Sequence, residues 1–245
     1  MAINLLIRTY VVENLFTSLF SIPKVIDSEN VHIYVHNDNP EVCRFNEIIK
    51  EFCLKYPDYS VIVIQEKENQ DMFMSYINSI AYLEENNYWT MMLDDDDTIC
   101  KCDIVDFLTK NQKKASIKYA IFEIFNGTKR STFFEWHRIY PTKELKKIFE
   151  NRDVIVTALL IYNKTTKFNK LEDELMYHIA KCLLSIDTIE YKQEVVNHNL
   201  YTHEINGYKS EDLYTTIDDL KKTINLRETI KNIIDYIYEH SAIHK

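Results

Sequence analysis

Two glycines in 245 residues, Gly127 and Gly207, set the tightest limit on what this chain can become. Average usage would place about 17 in a chain of this length. A phosphate-cradling loop of the GxxxxGK[ST] or GxGxxG kind needs several glycines within a few residues, because only backbone without a Cβ approaches phosphate so closely. P-loop nucleotide hydrolases and the usual dinucleotide-binding folds are therefore excluded. The rest of the composition, 46% apolar, 13% aromatic and 27% charged, is that of a folded globule and not of a disordered chain.

A net charge of -9 speaks against nucleic acid as a partner, since phosphate backbones call for a concentrated basic face. Five cysteines, Cys43, Cys53, Cys100, Cys102 and Cys182, form an odd set without repeated spacing, which fits a reduced, cytoplasmic chain. The longest apolar stretch, Val154 to Tyr162, is nine residues and contains Thr157. Crossing a bilayer takes about 20, so no integral membrane association is expected. The opening Met1-Ala2-Ile3-Asn4 lacks the basic segment and apolar core of a secretory signal.

Hydrophobic periodicity predicts an alternation of strands and helices. Residues 2–7 form a short apolar run, followed by Leu15, Phe16, Leu19 and Phe20 at helical spacing, with Pro23 as the stop. Val31, Ile33 and Val35 alternate as a second strand; Asn39 and Pro40 then mark a helix start, and Phe45, Ile48, Ile49, Phe52 and Tyr56 recur at helical spacing. Val61 to Ile64 is a third strand, Asp71 caps a helix through Leu83, and Tyr88 to Leu93 is the fourth. Short connections in such a series favour an α/β fold, a mostly parallel central sheet with helices on both faces. Ligands in these sheets bind beyond the carboxyl ends of the strands, which places the chemistry just after Ile7, Val35, Ile64 and Leu93. In the second half, Tyr119 to Phe125 reads as a strand, Asn126-Gly127 as a hairpin turn, and Thr132 to Tyr140 as the returning partner. Helices are expected at 143–150 and 170–184, and two amphipathic helices after Ser210 that form a packing layer.

The fourth strand runs directly into Asp94-Asp95-Asp96-Asp97. Each adjacent pair of carboxylates repels by on the order of 1 kcal/mol even when hydrated, so a compensating cation is expected. Oxygen-only ligation suits Mg2+ or Mn2+, which leaves coordination positions for phosphate oxygens and makes a diphosphate the natural ligand. The plain alternative is a solvated acidic loop or the start of a helix.

The order of strands, helices and acidic turns, ending in Leu93-Asp94-Asp95-Asp96-Asp97, resembles family 2 glycosyltransferases of the GT-A fold over roughly residues 3–210. Ile7-Arg8-Thr9-Tyr10 stands where that family lines the nucleotide site, with Arg8 in place of the more usual proline. His36-Asn37-Asp38-Asn39 stands at the second strand end, Asn37 replacing one of two acids and Asp38 keeping the other. Asn69-Gln70-Asp71 and Asn78 are similar to the family's Asn-x-Gly and Ala-Arg-Asn pattern without its glycine and arginine. The resemblance implies nucleotide contacts from Thr9, Tyr10, Asp38, Asn78, Asp94 and Asp95, and a metal on Asp94 and Asp96. Leu171-Glu172-Asp173-Glu174 looks like the family's Glu-Asp motif and would make Asp173 the catalytic base; read alone, the three acids merely decorate a helix start. Tyr201-Thr202-His203 is similar to a late segment whose histidine, here His203, can reach the metal. Trp136-His137-Arg138 falls where acceptors are often received, although a core tryptophan explains it equally well.

On this resemblance, 1–209 is a GT-A domain with a Rossmann-like nucleotide-sugar half at 1–100 and an acceptor half at 101–209; 210–245 is a helical extension. The implied activity is metal-dependent, inverting transfer from a nucleotide diphosphate sugar, a UDP-sugar first, to a hydroxyl of a glycan or other acceptor. A catalytically weak binder of nucleotide sugars or glycans, or a subunit beside another enzyme, is the rival reading. A peripheral membrane contact or an oligomer is compatible with either. A related nucleotidyltransferase would need a glycine-rich first loop, and residues 8–13 contain no glycine.

Overall fold

The computed structural model describes residues 2–24, 26–39, 43–67, 70, 72–86, 89–95, 116–125, 128–132, 139–168, 172–183, 188–195 and 217–241. Strand β1 (Ile3–Thr9) lies inside an eight-stranded sheet, paired in parallel with β2 (Val31–Asn37) on one edge and β4 (Trp89–Asp94) on the other. All seven residues of β1 are buried, as expected of a parallel strand covered on both faces. β3 (Ser60–Gln65) extends the parallel array beyond β2. The second half contributes β5 (Ser116–Phe125), β6 (Thr128–Thr132), β7 (Ile139–Pro141) and β8 (Thr188–Val195). The order is β3-β2-β1-β4-β7-β5-β6, with β8 parallel to β5.

Alternation along the strands sorts side chains to two faces. Ile3, Leu5 and Ile7 join α1 (Val12–Ser21) and α2 (Cys43–Lys55), where Leu15, Leu19, Phe45, Ile48 and Phe52 close one core. Leu6, Tyr34, Ile64 and Met92 face the other, built with α3 (Met72–Ile80), α4 (Thr142–Glu150), α5 (Arg152–Tyr162), α6 (Glu172–Leu183) and α7 (Ile217–His240). At the amino ends of the central strands, the fully buried Asn4 donates its amide to the Glu84 carbonyl (2.9 Å) and the Thr142 hydroxyl (3.3 Å), and Thr142 also bonds Thr90 (2.8 Å). This knot satisfies polar groups that would otherwise be costly to bury, and it ties α4 to β1 and β4.

Three expectations from sequence need correction. The partner of β5 is Thr128–Thr132, not 132–140: Phe125 pairs with Thr128, so a two-residue Asn-Gly connection returns the chain at once. Ile139–Pro141 pairs antiparallel with β4 instead. The C-terminal segment carries a single 24-residue helix where two were expected: no proline or glycine interrupts 217–240, and Leu226 packs against the second core. α5 and β8 had not been anticipated: α5 is an apolar stretch without clear one-sided spacing, and β8 mixes charged residues with Ile189, Tyr191 and Val195.

α7 packs its Ile230, Ile233 and Ile237 into the second core, while Ile224 stays 57% exposed. Among the described residues, no helix is long and apolar enough to cross a membrane. Ile233→Ala should lower unfolding free energy by about 2–5 kcal/mol and Ile224→Ala by less than about 0.5 kcal/mol, measured by urea denaturation. Equal effects would mean that α7 does not dock by this face.

Candidate functional site

The chain steps outward from β1 to β3 and then returns on the other side of β1 as β4. That reversal puts the switch point of the sheet at the carboxyl ends of β1 and β4, the usual ligand position in open α/β sheets. Thr9, Tyr10, Asp94 and Asp95 all come to this edge.

Asp95 organises it. Its Oδ2 accepts from the Thr9 hydroxyl (2.8 Å), the Tyr10 N–H (3.1 Å) and the Val11 N–H (3.2 Å). A carboxylate here also complements the positive end of α1, which begins at Val12. Thr9 is fully buried, and its side chain is spent on this contact. Tyr10 is held from both sides, since its carbonyl accepts from the Asn39 amide (3.1 Å), yet it remains 51% exposed. The result is a fixed backbone beneath an open aromatic ring.

The ends of β2 and β3 are tied in the same manner. Asn37 donates to Gln65 Oε1 (2.9 Å) and accepts from the Asn39 N–H (3.1 Å), while the Asp38 N–H donates to the Thr9 carbonyl (2.9 Å). The Asp38 carboxylate is 2% exposed and accepts from the Gln70 N–H (2.7 Å), which seats that residue beside the strand ends. Asn39, read from sequence as a helix start and as the last residue of the His36-Asn37-Asp38-Asn39 segment, thus supports Tyr10; Gln65 also joins the network, and it carried no motif that would have singled it out.

One residue lower in the sheet, Arg8 stands opposite His36 in β2 and Asp94 in β4. Arg8 is 6% exposed, with its guanidinium carbon 5.0 Å from the centre of the Tyr76 ring. His36 is fully buried, and its Nδ1 bonds the Ser79 hydroxyl. That hydroxyl gives its own proton to the Ser75 carbonyl (2.6 Å), so Nδ1 carries the imidazole hydrogen. Burial first, and the Arg8 charge second, push the His36 pKa down to about 4. The Glu66 carboxylate lies 3.5 Å from Nε2 without forming a hydrogen bond and does not offset this.

Asn78 is placed elsewhere. Its Oδ1 accepts from Arg152 Nε (2.9 Å), and it lines a groove of about 650 Å³ with Glu66, Tyr82, Phe149, Arg152 and other residues. Thr9, Asp38 and Asp95 are not in that wall. Asp173 is the second residue of α6; beside it Glu174, 9% exposed, meets Arg227 of α7 at 3.3 Å, so this third acid of the run is structural. Asp96, His203, Asn69, Asp71 and Trp136-His137-Arg138 lie outside the described residues, as do the side chains of Asp94 and Asp173. Among the described residues, no group of three or more His, Cys, Asp or Glu side chains could hold a metal.

No family model and no curated protein matches the chain. Solved structures do. S. aureus TarS 1-349 is 16% identical with a TM-score of 0.56, covering 98% of this chain and 73% of that one. The same protein in complex with UDP-GlcNAc gives 16% identity, a TM-score of 0.54 and coverage of 96% and 73%. The mannosyltransferase PcManGT from Pyrobaculum calidifontis, in complex with GDP-Man and Mn2+, is 10% identical with a TM-score of 0.52, covering 96% and 68%. Against the longer TarS crystal structure, the present chain spans 43% of the length. At these identities the likeness is one of fold: the chain has a GT-A glycosyltransferase fold.

Asp95→Ala should cost about 1–3 kcal/mol of stability by leaving three donors without their acceptor, and Asp95→Asn less than half of that. Urea midpoints of the two variants check this, and equal losses would contradict the three-donor arrangement. His36 adds a pH dependence. Its pKa is about 4 in the folded state against 6.5 ordinarily, so the unfolded chain takes the proton first. The stability gained by keeping it neutral is complete above roughly pH 6.5 and falls by about 2 kcal/mol by pH 5. In His36→Gln this part of the slope should vanish; an unchanged slope would place the acid sensitivity in other groups.

Proposed function

We propose that the chain is a glycosyltransferase that moves a sugar from a nucleotide diphosphate sugar to an acceptor hydroxyl, in glycan or polysaccharide synthesis in the cytoplasm. The observation that carries this reading is Tyr10: its N–H is held by Asp95, its carbonyl by Asn39, and it stands half exposed just beyond the carboxyl end of β1. An exposed aromatic ring on a backbone held in this way offers stacking to a nucleobase of any identity, and uridine is the first expectation. Residues 1–100 would bind the donor and 101–209 the acceptor, with 210–245 as a packing extension.

The acidic turn fits a hard divalent cation. The acids at the β4 end offer oxygen donors, and Asp95 is already engaged by three protein donors. That leaves Asp94 and Asp96 as the residues that would hold Mn2+ or Mg2+, with His203 as a candidate imidazole ligand. Such an ion supplies positive charge to a leaving diphosphate. Asp173, at the start of α6, would accept the proton of the acceptor hydroxyl, and attack from the face opposite the leaving group would invert the anomeric centre.

The test is a thermal-shift panel of UDP, GDP, dTDP and CMP and their sugar conjugates, with and without Mn2+. One nucleotide should raise Tm by roughly 5–10 °C at saturation, only with Mn2+, and Asp96→Ala should abolish the shift. Asp173→Asn should keep the shift and lose slow donor hydrolysis by about 100-fold or more. A shift without any hydrolysis in the unaltered protein would favour a binding protein of the same fold. No shift with any nucleotide would overturn the donor site altogether.

A further inference from the structure

The groove that Asn78 lines has a volume of about 650 Å³, within the span of about 300–1,000 Å³ usual for ligand sites. Both halves of the chain build it. Glu66 follows β3, and Asn78 and Tyr82 come from α3 and its end, while Glu150 closes α4 and Arg152 and Asp153 open α5. One end adjoins the carboxyl edge of the sheet, because the Glu66 N–H donates to the Asn37 carbonyl (3.2 Å). The other reaches toward the amino ends of the strands, since Tyr82 stands two residues before Glu84, whose carbonyl accepts from Asn4.

The side chains along this groove narrow the chemistry of a ligand. Tyr82 is 58% exposed and supplies aromatic surface. The carboxylates of Glu66 and Glu150 accept no hydrogen bond from other described residues. Glu66 instead faces Nε2 of the buried His36 at 3.5 Å, and with the imidazole hydrogen on Nδ1 that nitrogen is a second acceptor. Two acceptors set against each other leave Glu66 with capacity for a donor from outside. Arg152 stands among the acids, its Nε held by Asn78 and its Nη1 3.7 Å from Asp153, so its other N–H groups can donate to a ligand. Three carboxylates against one guanidinium among the described lining residues disfavour an anion, and the fixed guanidinium opposes a cation. Hydroxyls suit both kinds of group, since each donates to a carboxylate and accepts from a guanidinium. A neutral molecule with many hydroxyls and an apolar ring face to set against tyrosine is a saccharide.

We propose that this groove binds a neutral oligosaccharide, with Tyr82 against a sugar ring and Glu66, Glu150 and Arg152 on its hydroxyls, and that the bound chain is the acceptor. Lying beside the carboxyl edge, it would present one end of that chain to the donor. The acceptor role rests on the transferase reading above; the saccharide site does not.

An array of neutral and anionic glycans, probed with the labelled full chain in buffer without nucleotide or metal, tests the site. Neutral glycans should be bound. Calorimetric titration with the tightest of them should show an affinity about tenfold weaker in Tyr82→Ala and roughly threefold weaker in Glu150→Gln, with recovery in Tyr82→Phe, which keeps the ring. Tyr238→Ala removes an equally exposed tyrosine on α7, outside the groove, and should leave the affinity unchanged. No binding to any glycan, a preference for anionic ones, or equal losses in Tyr82→Ala and Tyr238→Ala would overturn the proposal. Binding of oligolysine and of no glycan would overturn it in favour of a cationic ligand.

With the same glycan as acceptor, Tyr82→Ala should raise KM about tenfold with little change in kcat. An unchanged KM would remove the acceptor role. Glycan binding that depends on Tyr82, with no nucleotide shift in the thermal panel, would uphold the saccharide site and overturn the transferase reading. A nucleotide shift without glycan binding would do the reverse, so the two failures are distinguishable.

Discussion

Negative charge gathered at the end of β4 is the constraint around which the carboxyl edge of the sheet is built. Carboxylates on successive residues repel, and the fold holds them there only by giving them partners. Asp95 is satisfied by three donors from the turn between β1 and α1. The same bonds fix that turn, and with it the backbone of Tyr10, relative to β4. Neutralising the charge and fixing the β1–α1 turn are thus one event, since the groups that quiet Asp95 include the backbone of Tyr10 itself.

The opposite edge is stabilised by other means. Asn4, Thr90 and Thr142 bond to one another in a fully buried knot of neutral groups, where no charge has to be balanced. Between these edges lie two apolar layers. The second includes α7, so the C-terminal helix is part of the core and not a loose appendage. Its Arg227 meets Glu174 on α6, one residue after Asp173. The helix that carries the candidate base is therefore anchored from both sides, by Leu175 and Ile179 in the core and by α7 at its start.

Much of the first half was legible because its signals are strong. β1 through β4 are apolar runs at regular intervals, and helical spacing fills the gaps between them. The second half was harder for physical reasons. β8 is a strand of alternating charged and apolar residues whose identity depends on pairing with β5, and the sequence carries no sign of that partner. α5 is apolar on nearly all sides, with Leu160 and Ile161 half exposed, so periodicity did not mark its buried face. At the candidate site, residue type pointed to the carboxyl edge of the sheet but not to what each group bonds there. Asp38 and Thr9 matched contact positions, yet both are buried and bonded to other parts of the chain. Asn78 matched too, and it bonds Arg152 in a separate groove.

The four-acid run shows why a motif underdetermines function. As letters, the four residues are equivalent, and any two could serve a cation. Geometry removes that equivalence: Asp95 turns toward the β1 turn and is consumed there, and Asp94 stands in register with a buried arginine. A substitution at Asp95 would release the Tyr10 backbone, and so alter this edge whether or not Asp95 touches a ligand. Loss of activity at one of these acids is thus not by itself a sign of ligation. Only a readout taken without ligand, such as stability, separates an acid that builds the site from one that acts in it.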